Sequence, residues 1–257
     1  MTLSLLLVFF VLVLLLIAGV VVARKVGIST ADSDGAIGIL IAPCVLSIFL
    51  VAMAMGLVIG WEGNQSATDI AVDEAAAATA LYWSTAALPA EDGERIRSDL
   101  RDYVETTIAS DWPRMRHRDL SPDGDAALDR LRAAVNAVPT DDPIVALDRF
   151  TAREEAGRLA EMRVQRGDAA ASEIPRIITI AATISALAVV VLPFGMGVRG
   201  SRARIFWSVL NLVFVAATVV LLLYLDNPYA GALAIGPESM EDALAGFDRI
   251  DASMPGA

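Results

Sequence analysis

The sequence contains one cysteine and one histidine, and this scarcity excludes several kinds of chemistry. A disulfide within the chain is impossible, and a structural zinc site needs about four ligands that are mostly cysteine or histidine. Cys44 lies in an apolar block and His117 in a charged one, so a catalytic cysteine–histidine pair is not expected. The chain has neither a Gly-x-Ser-x-Gly elbow nor a phosphate-binding lysine loop. We therefore predict no metal, no cofactor and no enzymatic activity.

Charge is missing from four long stretches, although the chain as a whole is 20% charged and has a formal net charge of -11. A membrane-spanning helix needs about 20 apolar residues, and each stretch reaches that length. This predicts a multi-pass membrane protein and excludes an ordinary soluble enzyme. The first stretch lacks a basic region before it and is longer than the core of a signal peptide, so we expect a retained anchor. The stretches are residues 3–23, 36–61, 177–198 and 205–225.

The acidic residues are concentrated between the second and third stretches. Residues 61–175 carry 13 arginines against 23 aspartates and glutamates. Proteins that bind nucleic acid need basic patches to meet phosphates, so no nucleic-acid partner is expected. None of the four apolar stretches has a central charged residue or histidine, which a proton-coupled pump usually needs. Active transport is therefore disfavoured.

The short loops indicate an orientation in the membrane. Arg24 and Lys25 follow the first stretch, and Arg199, Arg202 and Arg204 follow the third. Short basic loops tend to stay in the cytoplasm. This places both termini and residues 62–175 on the extracytoplasmic side.

Residues 62–175 show helical and not alternating periodicity, so we expect a helical bundle. Segment 64–88 is helical in pattern and can continue the second span, segment 91–111 forms a second helix, and residues 167–172 form a flexible link. Ser121-Pro122 and Asp142-Pro143 each place a cap before a proline, which is typical of a helix start. The predicted class is all-α: a four-span membrane protein with this bundle inserted between spans 2 and 3. Its parts are residues 1–61, 62–175, 176–225 and a tail, 226–257.

The tail contains one short amphipathic helix. It begins after Gly236-Pro237 and carries Met240, Leu244 and Phe247 on one face. That face requires a partner surface, which could be the bundle, the membrane interface or a neighbouring subunit.

Two features of the spans suggest helix packing. Ala52, Gly56 and Gly60 form a ridge of small residues that lets another helix approach closely, either within one subunit or between subunits. Asn211 lies inside the fourth span, where an amide either joins helices by hydrogen bonds or serves a pore or substrate.

An acidic surface follows the second span. Glu62, Asp69 and Asp73 stand seven and four residues apart, which puts them close to one face of a helix. In a symmetric oligomer they would form an acidic ring that favours cations at a pore mouth. In a monomer they would be an ordinary solvated face.

Short motifs occur over about residues 56–247, among them Asp73-Glu74-Ala75, Leu88-Pro89, Asp111-Trp112-Pro113 and Asp226-Asn227-Pro228-Tyr229-Ala230-Gly231. Together they resemble a bacterial family called bestrophin-like, of largely unassigned function. The sequence departs from the family by Asp111, where glutamate is usual, and by Asn227, where arginine is usual. The family-motif residues are Glu74, Pro89, Tyr103, Trp112, Pro113, Asp226, Pro228 and Gly231.

The family is distantly similar to the bestrophins, which are pentameric ion channels whose second span lines the pore. This resemblance implies that one face of the second span lines an axial pore. It also implies that the bundle lies in the cytoplasm. This conflicts with the orientation that the basic loops indicate, and we keep the orientation from the loops. The implied pore-lining residues are Ile41, Val45, Ile48, Phe49 and Ala52.

The sequence therefore favours an oligomeric ion channel in the cell membrane. The alternative is a non-conducting accessory or scaffold subunit of a membrane complex, and a membrane hydrolase is a weaker third hypothesis. The expected partners are the lipid bilayer and either further copies of the chain or other membrane subunits.

Overall fold

A computed structural model describes residues 34–195, 201–231 and 233–253. Within these ranges the chain is helical and has no strand, which confirms the all-α class. The helices are α1 (Asp34–Ser84), α2 (Ala90–Thr106), α3 (Trp112–Met115), α4 (Pro122–Ala137), α5 (Pro143–Ala171), α6 (Arg176–Gly195), α7 (Ser201–Leu225) and α8 (Glu238–Ser253).

The second apolar stretch and segment 64–88 belong to one helix. α1 runs without a break from Asp34 to Ser84 and includes Pro43. A short 3-10 turn, Thr85–Ala87, follows it, and Pro89 then precedes the first residue of α2. The predicted continuation of the span into a long helix is thus confirmed, whereas the first predicted span, residues 3–23, lies outside the described residues.

The chain divides into two compact units. The first, which we call the apolar unit, comprises Met1–Glu62 and Glu173–Asp226. The second, which we call the bundle unit, comprises Gly63–Ser172 and Asn227–Ala257. The tail therefore belongs to the bundle unit. Of the three partner surfaces considered for the tail helix, the structure identifies the bundle.

The apolar unit packs α1 against α6 and α7. Its buried cluster includes Phe49, Met53, Ala182, Val215 and Leu222. Two described helical stretches, Pro43–Ala87 and Pro143–Val190, are long and apolar enough to cross a membrane by length and composition, and Val209–Leu225 is a shorter apolar helix.

The helices of the bundle unit begin where the caps predict. The Ser121 hydroxyl accepts a hydrogen bond from Asp123 N (3.2 Å), and the Asp142 carboxylate accepts one from Ile144 N (2.8 Å). A side-chain acceptor at this position satisfies a backbone N–H that has no partner within the helix. Both predicted helix starts are confirmed.

Two predictions about the bundle are wrong in detail. The flexible link expected at residues 167–172 is mostly the last turn of α5, which continues to Ala171. A Cβ at Gly167 would lie 2.9 Å from Leu120 Cδ1, so this glycine gives room to a packed leucine and does not break the helix. The prediction of one helix over 91–111 also differs from the structure. The α-helix ends at Thr106, and a wider π-helical turn, Thr107–Asp111, follows it.

Candidate functional site: a helix face and a charged core

The residues implied to line a pore do not share one environment in the apolar unit. Ile48 is 58% exposed, Phe49 is 7% exposed and Ala52 is 8% exposed. Val45 is half-buried against the buried cluster. The side chain of Ile41 lies outside the described residues.

The exposed face of α1 runs through Ile48, Val51, Met55 and Val58, which follow one another at three- and four-residue spacing. Phe49 lies on the other side of the helix and Ala52 lies at the edge of this face, and both belong to the buried cluster with residues of α6 and α7. A groove of about 420 Å³ opens beside this face, and its walls are almost entirely apolar. It is lined by Ser47, Ile48, Val51, Ala52, Met55, Ile177, Ile178 and Ala181.

The three acidic residues expected at a mouth are all exposed. Glu62 is the last residue of its segment in the apolar unit, and Asp69 and Asp73 lie on α1 in the bundle unit. Within the described residues none of the three forms an ion pair. No described basic residue therefore neutralises their charge.

The ridge of small residues packs inside the subunit. A Cβ at Gly56 would lie 2.6 Å from Leu222 Cδ1, and one at Gly60 would lie 2.7 Å from Leu225 Cβ. Only a residue without a side chain lets α7 come this close to α1. Asn211, the other predicted packing residue, is half-buried in α7 and makes no hydrogen bond with another described residue.

The bundle unit has a charged core, which we define as Glu74, Tyr103, Asp111, Arg163 and Arg166. Arg166 is fully buried; its Nε donates to Glu74 Oε2 (2.5 Å) and its Nη2 donates to Asp111 Oδ2 (2.9 Å). Two fully buried carboxylates thus share one guanidinium. Because burying a single unpaired charge is very costly, these groups must stay together in the folded state.

Arg163 provides the second positive charge of the core. Its guanidinium is paired with Asp111, and its Nη2 donates to Ser121 O (3.0 Å). A Cβ at Gly124 would lie 2.6 Å from Arg163 Nη2, so a glycine in α4 makes room for the guanidinium. Asp111 also accepts from Ser121 N (2.9 Å). The charged core therefore joins α1, α2, α4 and α5.

Tyr103 completes the hydrogen bonding of Glu74. Its hydroxyl donates to Glu74 Oε1 (2.5 Å), and burial together with the adjacent carboxylate raises the pKa of Tyr103 far above its usual range. Burial overcomes the opposing effect of Arg166 and raises the pKa of Tyr229 to about 12. Both phenols therefore stay neutral at physiological pH.

Trp112 lies over the charged core. The Arg166 guanidinium stands 5.2 Å from the centroid of its indole, and the Tyr229 ring meets the indole edge-on at 6.1 Å. The indole Nε1 donates to Ile235 O (3.1 Å), in the segment before α8. The core is closed to solvent and its charges are balanced, so its geometry supports a structural role and not catalysis.

The other family-motif residues shape turns and helix ends. Asp226 Oδ1 accepts from Ile174 N (3.2 Å) and Pro228 O accepts from Ile235 N (2.9 Å). Gly231 has a φ of 97°, a conformation that glycine adopts without strain. Pro89 lies just before α2, and Pro113 occupies the first turn of α3.

Sequence reasoning missed Arg163 and Arg166, although a signal was present. The buried residues of α5 recur at spacings of four and three, and both arginines occur in that register. A charged residue at a position expected to be apolar points to a buried partner of opposite charge. The buried series is Ala152, Ala156, Leu159, Arg163, Arg166 and Ala170.

The tail helix is held by a second cluster. The rings of Tyr82 and Phe247 stack with centroids 4.2 Å apart, and Arg101 Nη2 donates to Asp251 Oδ2 (2.8 Å). Tyr82 also donates to Asp251 (2.6 Å). Despite the opposing effect of burial, these hydrogen bonds lower the pKa of Asp251. This contact fixes α8 on the bundle.

The comparisons with known proteins agree with this architecture. The family model of the Bestrophin-like domain matches residues 8–240. A crystal structure of a bacterial bestrophin homologue from Klebsiella pneumoniae, phased on zinc, superposes with a TM-score of 0.68 at 13% identity and covers 97% of this chain and 99% of that one. A variant of that homologue gives a TM-score of 0.71 at 12% identity, with 97% and 100% covered. No curated protein sequence matches the chain.

A further crystal structure, described as that of a membrane protein, gives a TM-score of 0.70 at 12% identity and covers 96% of this chain and 99% of that one. At such low identity these likenesses establish the fold, and the match to the family model establishes the family. The chain is a membrane protein that belongs to the Bestrophin-like family.

Proposed function

We propose that the protein is an ion channel, formed by several copies of the chain around an axis that α1 lines. Three observations support this proposal. The chain belongs to the Bestrophin-like family, its α1 carries a long apolar face that the other described helices leave open, and the exposed acids Glu62, Asp69 and Asp73 follow that face in the sequence. The open face of α1 carries most of the argument, because residues 34–195, 201–231 and 233–253 leave it uncovered.

Only residues on the exposed face of α1 can line the proposed pore. Ile48 stays a pore-lining residue, and Val51 and Met55 continue its stripe along the helix. Phe49 lies behind that stripe and Ala52 lies at its edge, and both pack with residues of α6 and α7. The pore wall is therefore apolar, and selectivity comes from the acidic mouth.

The acidic mouth is tested by reconstituting the protein in liposomes and measuring the relative permeability of cations and anions. Changing Glu62→Gln, Asp69→Asn and Asp73→Asn together should lower the preference for cations, because the negative potential at the mouth is removed. A matched control changes Glu94→Gln, Glu105→Gln and Asp129→Asn, which are exposed acids elsewhere on the bundle and remove the same charge.

An unchanged ion preference in the first variant, or an equal change in both, would contradict the acidic mouth. Absence of any ion flux from the purified protein at all voltages and pH values would contradict the channel itself. If such an inactive protein also co-purified with other membrane subunits, the accessory function would replace the channel.

We further propose that the chain crosses the membrane four times, with residues 62–175 and both termini outside the cytoplasm. The loop arginines support this orientation. Protease added to intact cells should then cleave within 62–175. Cleavage only after the membrane is opened would place the bundle in the cytoplasm instead.

A further inference from the structure

A second groove opens in the apolar unit, between the start of α6 and the end of α7. Its volume is about 290 Å³, and every described residue that lines it belongs to this unit. None of those residues lies on α1, so the groove is separate from the helix face that we assign to the pore. Known ligand pockets have volumes of about 300–1,000 Å³. The groove can therefore hold a small ligand or part of a larger one.

The two helices pass the groove in opposite directions. Ile174 N, just before α6, donates to Asp226 Oδ1 (3.2 Å), just after α7. Ile178 and Leu222, each one turn further into its helix, both lie against Gly56. The start of α6 therefore lies at the same level as the end of α7.

One end of the groove is charged. Glu173 and Arg176 line it at the start of α6, and Asp226 lines it just after α7. This end carries both signs of charge, so it can meet a ligand that has a negative and a positive group.

The rest of the groove is mostly apolar. Ile180 is 58% exposed and Leu223 is 48% exposed, whereas Leu222 belongs to the buried cluster. Ile180 stands four residues after Arg176, so the two share one side of α6 and lie about 6 Å apart along its axis. A ligand in this groove therefore meets charge at one end and apolar side chains at the other.

Arg176 is held only loosely by the protein. Its side chain is 89% exposed, and the ion pair that it forms with Glu173 has an N–O distance of 3.9 Å. An exposed ion pair of this kind contributes little. A guanidinium binds phosphate through paired hydrogen bonds. Arg176 is therefore suited to hold a phosphate at the charged end of the groove.

A phospholipid has its charged and apolar parts in the same order as the groove. The chain is a membrane protein, so phospholipids are its natural surroundings. We propose that the groove binds phosphatidylethanolamine, with the phosphate on Arg176 and the start of one acyl chain against Ile180 and Leu223. The proposal needs α6 and α7 to lie in the membrane, as proposed above, and does not need the protein to conduct ions.

The acids at the charged end favour the ethanolamine headgroup. Glu173 and Asp226 both line the groove, and a carboxylate can accept several hydrogen bonds. The primary ammonium of ethanolamine donates hydrogen bonds. The quaternary ammonium of choline has no N–H group and is typically recognised by aromatic side chains, and no described residue that lines the groove is aromatic. A headgroup with a net negative charge, such as glycerol phosphate, would be repelled by the two carboxylates.

Native mass spectrometry of the full-length protein in detergent tests the site. The protein is titrated with phosphatidylethanolamine, phosphatidylcholine or phosphatidylglycerol of identical acyl chains, and the dissociation constant of the first bound lipid is measured. Phosphatidylethanolamine should bind most tightly. Arg176→Gln should weaken its binding about tenfold, the loss expected for one hydrogen-bonded contact to a charged group. Arg132→Gln, which removes an exposed arginine of the bundle, should leave the binding unchanged.

A second pair of variants tests the choice of headgroup. Glu173→Gln together with Asp226→Asn should remove the preference for phosphatidylethanolamine over phosphatidylcholine. Glu94→Gln together with Asp129→Asn removes the same charge from exposed positions of the bundle and should keep that preference.

A third pair tests the position of the acyl chain. Leu223→Trp places a large ring in the groove and should weaken the binding of all three lipids. Leu221→Trp is the matched control, because Leu221 is 40% exposed and lies about 200° away around α7. It should leave lipid binding unchanged. The thermal stability of both variants in detergent without lipid shows whether they are folded.

Three results would overturn the proposal. They are equal affinity of the wild type for the three lipids, equal losses in Arg176→Gln and Arg132→Gln, and equal lipid binding by the two folded tryptophan variants. A preference for phosphatidylglycerol would contradict the assigned headgroup. Lipid binding is measured without ion flux, so failure of this site would leave the channel proposal standing.

Discussion

Different interactions stabilise the interior of each of the two units. In the apolar unit, helices meet through small residues such as Gly56 and Gly60, and none of the buried residues described there is charged. In the bundle unit, the centre is occupied by two carboxylates and two guanidiniums. One unit depends on close contact between backbones, and the other depends on paired charge.

This difference fits the environments that we propose for the two units, lipid for the apolar unit and water for the bundle unit. Within lipid, apolar surface gives no driving force for helix association, so close van der Waals packing must supply it. In water, apolar burial stabilises any compact bundle, and a set of buried charges that must all be paired singles out one arrangement. We infer that the charged core fixes the register of α1 against α5.

The largest expected effect comes from breaking the charged core. Arg166→Met leaves Glu74 buried without its arginine and removes one of the two positively charged partners of Asp111, and loss of one partner of a buried pair costs about 3–5 kcal/mol. The midpoint of chemical unfolding of the bundle should shift accordingly. Arg130→Met is the control, because its pair with Asp102 is about half exposed and is worth about 0–1 kcal/mol. Equal losses in the two variants would show that the core charges do not stabilise the bundle.

A smaller effect is expected from the apolar unit. Gly60→Ala places a methyl group 2.7 Å from Leu225 Cβ and 3.3 Å from Leu225 O, so α7 must move away from α1. Overpacking of this kind costs about 1–3 kcal/mol. The measurement is the thermal stability of the protein in detergent. Gly63→Ala has free space and should stabilise α1 instead, and loss of stability there would point to an unrecognised neighbour.

The smallest effect concerns the attachment of α8. Because the pKa of Asp251 is lowered in the folded protein, its contribution is present at neutral pH and is lost as the pH falls below about 4. The carboxylate is partly exposed, so the contribution should stay below about 1 kcal/mol. The stability difference between wild type and Asp251→Asn should shrink between pH 5 and pH 3. A constant difference would mean that the charge of Asp251 is not involved.

Local rules predicted most of the helices. The Ser121 and Asp142 caps appear as hydrogen bonds in the structure, and the absence of any breaker after the second span correctly predicted the length of α1. These features depend on neighbouring residues alone. The glycine at position 167 predicts a break near the end of α5, and this prediction is wrong because Gly167 makes room within the helix for Leu120, which precedes α4.

The charged core could not be predicted from local sequence patterns. Glu74, Asp111 and Arg166 are far apart in the chain, and only the packing of three elements brings them together. The family resemblance pointed to Glu74, Tyr103 and Trp112 without saying what they contact. Likewise, the ridge at Gly56 and Gly60 showed that a helix approaches closely, and the structure was needed to show that this helix is α7 of the same chain.

The proposal that α1 lines a pore is tested most directly by two neighbouring residues of that helix. Ile48→Cys and Phe49→Cys, each made with Cys44→Ala, are reconstituted and treated with a charged thiol reagent while ion flux is recorded. The reagent should block flux through Ile48→Cys, whose position is 58% exposed, and leave Phe49→Cys conducting, since that position is 7% exposed. Block at Phe49→Cys alone, or conduction unaffected in both, would contradict the account.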